Sequence, residues 1–76
     1  MPHVIVKLVP GRSEEQKTLL AQAITRDITS LFHQKEDVVS VSFEEVTPED
    51  WAEKVYRPDI LEKPATLYKK PGYTID

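Results

Sequence analysis

Three hydrophobic periods follow one another between Val4 and Val46, and their order leaves few folds open. Val4 to Val9 are nearly all apolar, as in a strand covered on both faces, and Pro10-Gly11 ends the run as a turn. Ser13-Glu14-Glu15-Gln16 then reads as a capping box. The Ser13 hydroxyl accepts from the Gln16 amide, the Gln16 side chain reaches back, and two acids sit where the helix dipole favours them. Leu20, Ile24, Ile28 and Leu31, flanked by Leu19, Ala23 and Phe32, recur at helical spacing through Gln34. One face of this helix is expected to pack on a sheet. Val38 to Val46 returns to period two, with Val39, Val41 and Phe43 on one side and Ser40, Ser42 and Glu44 on the other. Strand, helix and strand make a βαβ unit, whose strands are parallel and whose crossover is right-handed in about 98% of cases. The expected class is α/β, or α+β in some schemes.

Thr47-Pro48-Glu49-Asp50 supplies an N-cap, a proline for the first helical position and first-turn acids. A short helix carrying Trp51 and Val55 is predicted, interrupted at Arg57-Pro58. A second short helix with Ile60, Leu61, Leu67 and Tyr68, strained at Pro64, is expected next. Lys69-Lys70-Pro71-Gly72 reads as a turn, and Tyr73 to Ile75 suits a small strand. No repeat or linker divides the chain, so residues 1–76 read as one domain.

Seventy-six residues draw only about 3–5 kcal/mol from their own core, and a two-stranded parallel sheet is inadequate alone. With no cysteine, disulfides and thiolate metal sites are excluded. His3 and His33 are the only imidazoles, and no metal site is expected of a strand histidine and a helix-end histidine. Oligomerisation is the remaining staple, with a second copy joining its strands into a four-stranded sheet. A net charge of −3 without a basic block argues against nucleic acid. No apolar stretch nears the roughly 20 residues that cross a bilayer, and no signal peptide is visible, so no membrane is expected as partner and the cytoplasm is the expected compartment.

The common catalytic signatures are missing: no nucleophile elbow, no metal-ligand pair, and no phosphate-binding glycine loop in a chain whose only glycines are Gly11 and Gly72. Pro2 stands out instead. A small second residue generally permits loss of Met1, which leaves a secondary amine at the start of a strand. Ordinary α-amino groups titrate at about 7.7–8.0, and burial lowers that value toward the range where general bases work best. Arg12 lies past the far end of the same strand, roughly 20 Å away, so the two can cooperate only across subunits.

Pro2 opening a strand, the segment Gly11-Arg12-Ser13-Glu14-Glu15-Gln16-Lys17, and Val39-Ser40-Val41 followed by Glu45 and Trp51 together resemble the oxalocrotonate tautomerase family of the tautomerase superfamily. The resemblance spans the βαβ core, from Met1 to about Trp51, without gaps. The Pro2-His3 start and the ending Lys69-Lys70-Pro71-Gly72-Tyr73 are more similar to the dimeric, phenylpyruvate-enol branch than to the hexameric enzymes.

The resemblance implies a cofactor-independent keto–enol isomerase of small 2-oxo or enol carboxylates, working as a homodimer, with Pro2 as general base and acid. It implies that Arg12 grips a carboxylate or polarises a carbonyl, and that Trp51 stands at the aromatic position that keeps the proline amine desolvated. The family's second active-site arginine falls at Ser40, which offers one hydrogen bond and no charge. A monocarboxylate such as an aryl-pyruvate enol is therefore expected over a dicarboxylate dienol, with Lys7, His3 and Arg57 as candidates for the missing electrophile. Two rival readings stay open: a non-catalytic oligomeric module that keeps Met1, and a proline-dependent hydratase or dehalogenase.

Overall fold

The computed structural model describes all 76 residues, and they fall into two compact units, Met1–Glu45 and Val46–Asp76. The first holds β1 (His3–Leu8), α1 (Glu14–Phe32), a 3-10 turn (Glu36–Val38) and β2 (Ser40–Glu45). β1 and β2 pair in parallel from His3↔Ser40 to Leu8↔Glu45, with α1 as the crossover. The βαβ expectation holds. The register puts His3, Ile5 and Lys7 on one face with Ser40, Ser42 and Glu44. Val4, Val6, Leu8, Val41, Phe43 and Glu45 take the other face, which α1 covers, and Lys17 of α1 reaches Glu45 at 3.1 Å.

The capping box forms as the sequence dictates: Gln16 N–H donates to Ser13 Oγ at 3.1 Å, and Ser13 N–H to Gln16 Oε1 at 3.0 Å. α1 stops at Phe32 rather than Gln34, because His33 takes the left-handed conformation (φ 56°, ψ 46°) and its N–H caps the Thr29 carbonyl. β2 starts at Ser40 rather than Val38, since Glu36–Val38 wind into the 3-10 turn first.

Burial is sparse. Only Val55 and Tyr56, 4% and 7% exposed, are buried, and α1 contributes no buried residue. The apolar stripe of α1 is wider than the two strands beneath it: Ile24 and Ile28 are half-covered, whereas Leu20 stays 44% and Leu31 74% exposed.

The second unit departs from expectation. α2 (Pro48–Trp51) does not stop at Arg57-Pro58 but runs on as a π-helix over Ala52–Leu61, with Glu62 N–H donating to Arg57 O at 3.0 Å. In an α-helix a proline ring meets the carbonyl four residues back; the i→i+5 spacing of a π turn moves that carbonyl aside. Ile60 and Leu61 therefore complete this helix instead of opening another, and Pro64 begins a 3-10 turn (Pro64–Thr66) rather than straining a helix interior. Tyr73 to Ile75 form no strand, since their unit offers none to pair with. No helix is long and apolar enough to cross a membrane.

Candidate active site

The head of the sheet brings three residues together. Parallel pairing sets Ser40 opposite His3, and one residue further back Ser40 N–H donates to the Pro2 carbonyl at 3.2 Å. The Ser40 hydroxyl lies 2.6 Å from His3 Nδ1. Pro2 is half-covered, His3 and Ser40 are exposed, and Met1 ahead of them is 100% exposed.

Arg12 sits at the other end. It follows the Pro10-Gly11 turn, where Gly11 has φ 133°, a conformation closed to most other residues. The six residues of β1 put it roughly 20 Å from Pro2, so one chain does not bring the two together. It is exposed and takes part in none of the ion pairs of α1 and β2.

Nearby, Lys17 Nζ bridges Glu14 at 2.8 Å and Glu45 at 3.1 Å. The bond to Glu14 and then that to Glu45 hold its ammonium above the ordinary lysine range. This clamp ties the first turn of α1 to the end of β2. The Glu14 bridge follows from i,i+3 spacing on α1, whereas the reach to Glu45 depends on the crossover. A groove of about 830 Å³ runs beside it, lined by Lys17, Thr18, Ala21, Thr25, Val41 and Phe43.

Of the three electrophile candidates, His3 adjoins Ser40 at the head of the sheet. Lys7 lies four residues further along β1, about 13 Å from His3. Arg57 is paired with Glu53 one turn earlier, which raises its affinity for its proton. The His3–Ser40 bond escaped the sequence, because each residue was visible but their register was not.

Trp51, in the second unit, is half-covered, and its indole Nε1–H donates to Tyr73 Oη at 3.1 Å. The Tyr73 ring packs against Tyr56 with centroids 5.8 Å apart, above a hollow of about 260 Å³ lined in part by Ile60, Leu67 and Pro71. Tyr73 thus belongs to an aromatic cluster rather than to a strand. No group of three or more histidine, cysteine, aspartate or glutamate side chains is placed to hold a metal ion.

A family model described as tautomerase enzyme matches residues 2–56. The chain is 41% identical over 75 residues to tautomerase PptA of Pectobacterium atrosepticum, covering 97% of this chain and 99% of that protein. It is 40% identical over 73 residues to a probable tautomerase of Xylella fastidiosa, covering 96% and 89%. Among solved structures, TomN, a 4-oxalocrotonate tautomerase homologue in the tomaymycin biosynthetic pathway, superposes with a TM-score of 0.64 at 32% identity, over 66% of this chain and 77% of that one. With relatives of matching length and a shared βαβ layout, the chain belongs to the tautomerase family of isomerases.

Proposed function

We propose that the protein interconverts the enol and keto forms of a small 2-oxo monocarboxylate, with enol-phenylpyruvate as model substrate, using Pro2 as base and acid without a cofactor. The observation that carries this reading is the anchoring of Pro2. Ser40 N–H fixes its carbonyl at 3.2 Å, while Met1 stands fully exposed, open to removal. Loss of Met1 converts the Pro2 nitrogen from an amide into a secondary amine. That amine takes the enol O–H proton, the O–H electron pair forms the carbonyl, and the C=C π electrons accept a proton at carbon from the prolinium. Charge and protons balance over the cycle.

Arg12 is assigned the substrate carboxylate, which its planar fork grips in two bonds. Because Arg12 and Pro2 of one chain stand roughly 20 Å apart, the arginine comes from a second copy in a homodimer. Trp51 is assigned the apolar contact that keeps the amine desolvated. Ser40 offers a donor without a charge, which favours monocarboxylates over dicarboxylates. The cytoplasm is the proposed compartment.

Ketonisation of enol-phenylpyruvate, followed by ultraviolet absorbance with intact mass measured on the same sample, tests the reading. Turnover well above buffer from protein lacking Met1 is expected. No turnover from fully Met1-free protein would refute it.

A further inference from the structure

We propose that His3 is the positioning residue for Ser40: its Nδ1–H donates to Ser40 Oγ, which turns the serine hydroxyl hydrogen outward to bond an oxygen of the enol carboxylate beside Pro2. The inference rests on the proposed reading of Pro2 as the base, and adds a residue that reading leaves idle.

Three constraints meet at Ser40. Its main chain is tied to Pro2 by the 3.2 Å bond to the Pro2 carbonyl, which sets the Ser40 backbone next to that residue. Its Cα is paired directly across the sheet with His3. Its Oγ lies 2.6 Å from His3 Nδ1, within hydrogen-bond range. A serine hydroxyl is one donor on a free rotor with two acceptor lone pairs. Left alone, it samples orientations of which few face a substrate. With one lone pair occupied by a ring N–H, the hydrogen is directed away from the histidine.

The proposed role requires one direction of the bond. Were Nδ1 the acceptor, Ser40 would spend its only hydrogen on His3 and present lone pairs to an anion, which repels it. With Nδ1 as donor, the hydroxyl becomes a preorganised donor aimed where negative charge resides. His3 and Ser40 are both exposed, so the outward hydroxyl faces solvent and an arriving substrate rather than packed protein. The pair thus performs with two neutral groups part of what one cation would do, with a neutral donor's preference for a single carboxylate.

Two measurements decide. Long-range nitrogen–proton spectra of the histidine rings at about pH 8, where an ordinary imidazole is neutral, read the tautomer directly. His3, told apart from His33 with a His33→Gln variant, is expected to carry its proton on Nδ1 and to lose that preference in Ser40→Ala. A proton on Nε2 with bare Nδ1 overturns the proposal. In turnover, Ser40→Ala and His3→Leu are each expected to raise KM for enol-phenylpyruvate about tenfold, as loss of a bond to a charged group does, and the double variant no further. His3→Asn, which keeps an N–H near the place of Nδ1, is expected to recover most of the loss. Additive losses, or no recovery with asparagine, overturn the proposal. A failure of the broader reading is distinct: wild-type protein without turnover, with the ring spectra still deciding whether His3 orients Ser40.

Discussion

Pro2 differs from any other residue at its position in one covalent respect: freed of Met1, its nitrogen is a secondary amine. Pro2→Ala keeps an amine but makes it primary and more mobile. The expected result is a fall in kcat for ketonisation of at least about tenfold, with an unchanged circular dichroism spectrum. Equal turnover would remove the base from Pro2. Arg12→Ala tests the carboxylate grip, because it is exposed and outside the ion pairs of α1 and β2, so little folding energy goes with it. KM for carboxylated enols is expected to rise about 10–100-fold, while neutral enols are unaffected. Equal effects on both would take Arg12 out of the site. These positions were legible as residue types at family spacing. What stayed hidden were their partners. The Ser40 bond to His3 depends on strand register, and the Trp51 bond to Tyr73 spans 22 residues of chain, which no local signal encodes.

At the scale of elements, local rules succeeded where the cause is local. The capping box needs only four consecutive residues, and it formed as read. Ser13→Ala is expected to cost about 1 kcal/mol, measured as a shift in the urea midpoint at constant m. An unshifted midpoint would mean that the first turn is held by the Lys17 clamp instead. That clamp has its own signature. Glu14 first, then Glu45, raises Lys17 above its usual 10.5, so its stabilising effect is fully present below about pH 10.5 and is lost as pH climbs through the folded-state value. Wild-type Tm is thus expected to decline above about pH 10.5, and Glu45→Gln, already lacking one partner, to decline less over the same window. Parallel alkaline losses would assign the decline to other groups. Local rules failed at Pro58, because "proline ends a helix" presumes α spacing, and the chain changes to π spacing there. The strand expected at Tyr73 failed for a related reason: β-propensity needs an edge, and the tyrosine found an aromatic cluster instead.

For the whole molecule the decisive quantity is surface. Leu20, Leu31 and Phe32 of α1 and Ile5 of β1 are all substantially exposed, at 44%, 74%, 61% and 49%. With only two buried side chains, the single chain lacks the core that would hold it folded. On the proposed reading, a second copy burying the α1 stripe would supply that core and Arg12 would act on the other chain's Pro2, so assembly and activity are expected to fail together. Leu31→Asp separates the possibilities. In a monomer a charge at a site 74% exposed costs almost nothing, and surface changes of this kind stay within about 0.5 kcal/mol. In a dimer it puts an unpaired carboxylate into an apolar interface. Sedimentation of the wild type is expected to give a dimer whose Tm rises with protein concentration. Leu31→Asp is expected to give a poorly folded monomer without turnover. A Leu31→Asp protein as stable and active as the wild type would leave the stripe unpartnered and return Arg12 to a solvent-exposed turn.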